Sequence, residues 1–561
     1  MKWPRLRLSL PPRLQQGALG RVLRTLLALA PSLLAIAAVV RMFVQVHATF
    51  FSPAVPVNPK DEGYITAFAV RMLDGHFLPY VDAVSHRGPM LYVVAAVAVA
   101  LGGRTSFVPI RTLGLLCSLL VVVLGYVAAA RARRPLAGAL AAIAIYVDCA
   151  LELVPDDGFA YNGELLLDVF ALGALVCLVV GLAPERTAPS ARWTAAAGAL
   201  GALGALSKQV GGVTVVTLAL WPLAAAVARP SGATRARRWS PAWAYVAGAA
   251  APVVLLVARY AAAGQLRTLA YYTLTYNSHV YMAPMTGEES LHRYRGWLSD
   301  HAELTTVAMA LVALGVARCL SGARLRGFWR SLDERGFLLT LALGALATGV
   351  AANVTARGFP HYFLQAVPWF ALLAGVLLEE GLVADDASPL RRALVHAAVL
   401  LPTLAVVMIL HGPRLEALER ASRDHPRTLP ICTFVDDHSG RDDAIYVWGF
   451  APDIYTYCQR RPASRFVYST FPSGYVPFFD GASQEEDLAR IVPGGEKQLV
   501  DDLERSRAAM VIDVPWTMGN RRVDGVPAYA SYLAQGYCPP VVYDRTRVFV
   551  RKSPDRPCPR Q

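Results

Sequence analysis

Charge is scarce in this chain. Asp, Glu, Lys and Arg make up 17% of its 561 residues, against 55% hydrophobic residues. Runs of about 20 apolar residues recur, each long enough to cross a bilayer, which excludes a soluble globular protein. There is no CxxC or HExxH pattern, so a dedicated metal site has little support and no cofactor or metal is expected. No Gly-rich phosphate loop follows the first strand-like run of the C-terminal region, where Trp448-Gly449-Phe450-Ala451-Pro452 stands instead. No internal repeat and no long disordered tract is visible. A cleavable signal peptide is not evident either: Arg5, Arg7, Arg13, Arg21 and Arg24 precede an apolar run without a convincing cleavage site. That run reads as a first anchor with its N-terminus inside. The net charge of +13 is explained largely by loop arginines on the cytoplasmic side, so no nucleic-acid partner is expected.

The expected fold class is a polytopic α-helical membrane protein with an exported C-terminal α/β domain. Residues 25–44 form the first span and 45–88 a polar loop. Residues 89–103 are apolar but too short to cross and read as a re-entrant or interfacial helix. Ten further spans are expected at 107–130, 136–152, 163–183, 193–207, 209–228, 241–263, 301–320, 336–354, 361–382 and 393–411, about eleven in all. The arginine clusters 131–134, 186–192, 229–238, 318–330 and 391–392 then share the cytoplasmic side. The same parity places 153–162, Ser207-Lys208-Gln209, 264–300 and 353–360 on the outer face with Asp61. It also puts everything after 411 outside, dividing the chain into a membrane domain at 1–411 and an extracytoplasmic domain at 412–561. Strand-like and helical runs alternate in the second, as in a small α/β domain. Cys432, Cys458, Cys538 and Cys558 lie there, in a compartment that permits disulfides, with three pairings open. The Ala- and Arg-rich composition points to a high-GC bacterium and thus to the bacterial inner membrane.

Ionisable residues beside membrane spans are costly and each merits a functional hypothesis. Loop one holds Asp61, Glu62, Asp82, His86 and Arg87. A carboxylate there suits a general base for an acceptor hydroxyl, and equally the N-terminal turn of a surface helix. Asn162 and Glu164 open a span, and Asp156 and Asp157 precede them, as substrate contacts or as helix-start and turn residues. Lys208 sits in a short outer turn, either snorkelling or pairing with a lipid phosphate. Arg357, His361 and Tyr362 lie at the outer end of another span, with Gln365 one turn on. Lys208, Arg357 and His361 together make a cationic cradle for a phosphate leaving group. The 264–300 loop mixes tyrosines, histidines and Asn277, which suits sugar binding and an interfacial belt alike.

Five segments stand in a familiar order: Asp61-Glu62, Gly75-His76-Phe77-Leu78-Pro79-Tyr80-Val81-Asp82, Arg87-Gly88-Pro89, Lys208-Gln209 and His361-Tyr362-Phe363-Leu364-Gln365-Ala366-Val367-Pro368. Over about residues 20–411 the chain resembles glycosyltransferase family 39 of the GT-C superfamily, whose members include protein O-mannosyltransferases and bacterial aminoarabinose transferases. The resemblance implies an inverting, metal-independent transfer from a polyprenyl-phosphate sugar outside the cytoplasmic membrane, with Asp61 as base and Glu62 beside it. Many relatives carry Lys where Arg87 stands, which keeps the charge and changes its geometry. The acidic position of the second outer loop falls to Asp156, Asp157 or Glu164.

The expected function is therefore a membrane glycosyltransferase. Asp61 serves as base, and Arg87, Lys208, Arg357 and His361 hold the donor phosphate. Glu62 and Glu164 orient acceptor or sugar, and Asp82, His86, Asn162, Tyr362 and Gln365 contact substrate. Its partners are the lipid-linked donor, membrane lipid, and an acceptor glycan of the envelope such as lipopolysaccharide or a lipid-linked one. A lipid-linked-sugar flippase and a non-catalytic assembly partner are the alternatives. Charges gathered at one face, rather than near the midplane, favour the enzyme.

Overall fold

The computed structural model describes residues 18–50, 59–152, 158–182, 189–228, 235–281, 302–320, 335–353, 360–384, 387–424, 429–476, 483–554 and 557–559, with scattered residues between 288 and 299. The membrane part contains α1 (Ala18–Phe50), α2 (Pro59–Asp74), α3 (Pro89–Gly102), α4 (Val108–Arg131), α5 (Pro135–Val147), α6 (Gly163–Leu182) and α7 (Ala191–Ser207). It continues with α8 (Gly212–Ala228), α9 (Arg235–Ala262), α10 (Ala302–Leu320), α11 (Gly336–Asn353), α12 (Val367–Leu382) and α13 (Pro389–Asp424). Apolar runs become helices here because lipid offers no partner to backbone N–H and C=O groups, and a helix satisfies them internally.

Seven helices among the described residues are long and apolar enough to cross a membrane: Thr25–Thr49, Val108–Arg131, Gly163–Leu182, Gln209–Ala228, Trp239–Ala262, Gly336–Asn353 and Pro389–Ala421. The other four expected spans are also helices, α5, α7, α10 and α12, of 13, 17, 19 and 16 residues. The 14-residue α3 is too short to cross at about 1.5 Å per residue. α7 packs between α6 and α9, α1 against α13, and α5 against α12. At one end of the bundle, Arg134 and Arg318, from two of the arginine clusters, converge on Glu380 at 3.2 and 3.3 Å.

The C-terminal part is a five-stranded sheet of order β2-β1-β3-β5-β4. Its strands are β1 (Ala444–Trp448), β2 (Arg461–Pro462), β3 (Met510–Asp513), β4 (Val541–Tyr543) and β5 (Thr546–Val550). β1 pairs in parallel with β2 and β3, and β5 is antiparallel to β3 and β4. All of β1 and β3 is buried, as expected of central strands covered on both faces. Of the three cysteine pairings left open by the sequence, the structure has Cys432–Cys458 and Cys538–Cys558. One boundary differs from expectation: α13 does not stop near 411 but runs on to Asp424. Gly412 and Pro413, a pair that commonly ends a helix, stand inside it instead.

The two parts meet along α2. The Tyr64 and Tyr468 rings stack 3.9 Å apart, and the Val84 N–H donates to the Arg465 carbonyl at 2.9 Å. Gly63 permits this approach, since a Cβ there would lie 2.5 Å from both the backbone N and Cα of Asp453. Gly63→Ala must therefore push the domains apart. We expect it to cost about 1–3 kcal/mol, as overpacking does. Thermal unfolding in detergent measures this.

Candidate active site

α2, the loop after it, and six other segments border a cavity of about 520 Å³. Its wall includes Asp61, His86, Arg87, Asn162, Glu164, Lys208, His361 and Tyr362. Residues separated by three hundred positions in sequence thus share one surface, on the face opposite to the Arg134–Glu380–Arg318 cluster by the alternation of the helices.

Asp61 lies in the first turn of α2, where a carboxylate suits the helix dipole. Arg87 donates from Nη2 to Asp61 Oδ1 at 2.9 Å, and the Tyr468 hydroxyl donates to the same oxygen at 3.3 Å. Burial pushes the Asp61 carboxyl up, but the charges of Arg87 and His361 and these hydrogen bonds outweigh it, holding the group below its usual value. Asp61 is therefore ionised.

The loop bearing Arg87 is held at several points. Tyr80 donates to the Arg87 carbonyl at 2.7 Å, and the Arg87 N–H donates to Ser85 Oγ at 3.0 Å. The His86 carbonyl accepts from Gln209 at 2.8 Å and from Asn277 at 2.9 Å, and the His86 ring stacks 4.2 Å from Tyr281. Gly88 is pressed against the turn before Lys208, where a Cβ would sit 2.6 Å from the Ser207 carbonyl oxygen. Any side chain at Gly88 would separate Arg87 from Lys208.

Asn162 caps α6, its Oδ1 accepting from the Leu165 N–H at 2.8 Å. The cap places Glu164 in the first turn, where it pairs with Lys208 Nζ; His361 Nε2 stands 3.8 Å from the same oxygen. Lys208 Nζ also lies 3.9 Å from the centre of the Tyr362 ring, a cation–π contact.

Three residues expected at the site are elsewhere. Glu62 is turned away because successive helical side chains diverge by about 100°. It is buried and accepts from Arg111 Nε at 3.3 Å, so it braces α2 on α4 rather than facing the cavity. Asp82 folds its own loop, accepting from the His76 N–H at 3.0 Å and the Leu78 N–H at 2.6 Å. Gln365 is buried behind the wall, 1% exposed. Arg357 lies outside the described residues, as do Asp156 and Asp157. Asn277 and Tyr281, from the 264–300 loop noted for sugar binding, do line the cavity, whereas Tyr468 belongs to this neighbourhood although it was not singled out. Tyr468 had no signal in sequence, being 407 residues from Asp61. The 264–300 loop contributes a π-helical stretch, Tyr271–Thr275 and Asn277–Tyr281. Its Asn277 and Tyr281 line the cavity, whereas Tyr272 and Tyr276 are buried. Among the described residues no group of three or more His, Cys, Asp or Glu is arranged to hold a metal.

Removing one partner of the Lys208–Glu164 pair leaves a buried charge uncompensated. We expect Lys208→Met to destabilise the protein by about 3 kcal/mol, and Lys208→Met/Glu164→Gln to recover most of that loss. Thermal melts of both variants in detergent decide it, and equal loss in the two would refute the coupling.

No protein-family model matches the chain, and no curated protein matches it either. It is similar to solved structures. The crystal structure of ArnT from Cupriavidus metallidurans in the apo state aligns at TM-score 0.55 and 16% identity, over 92% of this chain and 97% of that one. The structure of ArnT from the same organism bound to undecaprenyl phosphate aligns at TM-score 0.54 and 15% identity, over 97% of this chain and 100% of that one. With its helical bundle, its cavity at one face and its C-terminal sheet, this multi-pass membrane protein has the ArnT-like fold of the GT-C type.

Proposed function

We propose that the chain is an inverting glycosyltransferase that moves a sugar from a polyprenyl-phosphate donor to an envelope acceptor on the outer face of the bacterial inner membrane. One observation carries this reading. A single cavity presents an ionised carboxylate, Asp61, beside two cationic groups, Arg87 and Lys208, and the titratable His361, where helices end. The shared fold with ArnT, which has been solved bound to undecaprenyl phosphate, supports a lipid-phosphate donor.

In this reading the acceptor hydroxyl attacks the anomeric carbon. The new glycosidic C–O bond forms as the bond from that carbon to the phosphate oxygen breaks. The hydroxyl proton passes to Asp61, and the electron pair leaves on the polyprenyl phosphate. Arg87 and Lys208 stabilise the charge that develops there, with His361 contributing when protonated. Glu164 fixes the position of Lys208, and Asn162 fixes Glu164 by capping its helix. His86, Tyr281 and Tyr362 offer flat surfaces to the sugar. Arg87 is the element that switches: in the empty site its charge holds Asp61 as a weak base. A donor phosphate that draws Arg87 toward itself frees Asp61, whose burial then raises its basicity. The C-terminal domain lies on the periplasmic side, and the acceptor is an envelope polysaccharide or lipopolysaccharide rather than a protein.

Two experiments test the reading. Mass spectrometry of envelope glycans and lipid-linked sugars compares cells carrying the wild-type protein, Asp61→Asn, or no protein. The same sugar must vanish from a glycan in both defective strains while its lipid-linked form accumulates. An Asp61→Asn strain indistinguishable from wild type removes Asp61 as the base.

The second concerns pH. Asp61 acts ionised, so activity falls as pH drops through its pKa, which in the free enzyme lies below the ordinary value of about 3.9. Arg87→Gln removes the main downward pull and leaves burial, so the acid limb of kcat/KM must move to higher pH. A limb that stays in place in Arg87→Gln refutes the coupling.

A further inference from the structure

We infer that the C-terminal domain carries a second ligand site, a saccharide-binding cavity for an anionic sugar chain, at the carboxyl edge of its sheet. The cavity measures about 540 Å³, within the size of small-molecule sites, and Trp516, Asn520, Arg522, Arg545 and Arg547 line it. Its position follows from the topology. β1 and β3 are parallel neighbours, and ligands of open α/β sheets bind beyond the carboxyl ends of such strands. Pro515 and Trp516 follow the end of β3 at Asp513, and Arg547 pairs with Asp513 across the antiparallel β5. Gly519 and Asn520 both adopt left-handed φ, +56° and +62°. They turn the chain back so that Trp516 and Arg522 face one space.

Charge and exposure then specify the ligand. Arg547 is committed: it pairs with Asp513 at 3.2 Å and donates to Asp524 at 3.0 Å. Among the described residues the Arg522 and Arg545 side chains make no hydrogen bond and no ion pair within 4 Å, although the Arg522 charge still acts on Asp513 and Asp524, both of which Arg547 engages. Two exposed guanidinium groups at one cavity suit bidentate binding of a carboxylate or phosphate. Trp516 beside them is 51% exposed, an apolar face left in water at the cavity rim, suited to the apolar face of a sugar ring. The site also adjoins the membrane cavity through a short relay. Thr517 Oγ1 accepts from the Phe450 N–H at 2.8 Å, the Phe450 ring lies 4.8 Å from Tyr468, and Tyr468 reaches Asp61. A chain held at this edge lies on the side of the domain that faces Asp61. The inference does not rest on the transferase reading, because the site is complete within the C-terminal domain.

The test is a titration of full-length protein in nanodiscs, read by tryptophan fluorescence against Trp516→Phe. The probes are trigalacturonate for carboxylate, mannose 6-phosphate for phosphate, and maltotriose as the neutral control. We expect saturable quenching by at least one anionic probe and none by maltotriose. Affinity must fall at least about tenfold in Arg522→Ala/Arg545→Ala, as loss of charged hydrogen bonds demands. It must be unchanged in Asp61→Asn, which separates this site from the catalytic one. Which anionic probe binds names the charge of the ligand. The inference is overturned if neither anionic probe binds, if the double variant binds as tightly as wild type, or if maltotriose binds equally well.

Discussion

A charge beside a lipid-embedded bundle cannot be left alone, and most of the architecture around the cavity follows from that constraint. Removing an ion from water costs several kcal/mol even after relaxation, so each buried charge must meet a partner or a hydrogen-bond donor. Asp61 meets Arg87, Glu164 meets Lys208, and Glu62 meets Arg111. The three pairs draw together α2, the loop before α3, α4, the start of α6 and the turn after α7. Two of them also border the cavity, so pairs that assemble the bundle line the open space at one end of it.

The C-terminal domain is part of that arrangement. Its Tyr468 stacks on Tyr64 and donates to Asp61, so the carboxylate lies between a membrane-side arginine and an extramembrane tyrosine. Phe471 of the same domain packs 4.9 Å from Tyr276, beside the π-helical stretch that supplies Asn277 and Tyr281. A domain whose strands alone suggested no chemistry therefore closes one side of the site. The close approach at Gly63 makes this contact specific in geometry as well as in charge.

Periodicity and hydropathy made the helices legible, because a segment in lipid has few alternatives to an α-helix. The composition break after the last span revealed the second domain. Eight of the twelve residues selected for chemistry lie on the cavity wall, since costly charges beside spans collect where loops of one parity converge. Glu62 and Asp82 went astray for local reasons: helical rotation turned one toward Arg111, and loop backbone donors captured the other. Both choices depend on neighbours that sequence spacing does not reveal.

The amino-acid sequence by itself determined the helical membrane architecture, the separate C-terminal α/β domain and the gathering of charge at one face. Length, apolarity and the cost of unpaired charge are local properties, and they can be read along the chain. Which cysteines join, which way Glu62 turns, and that Tyr468 reaches Asp61 were decided only by tertiary structure. Those contacts join residues far apart in the chain, and their partners are selected by packing in three dimensions.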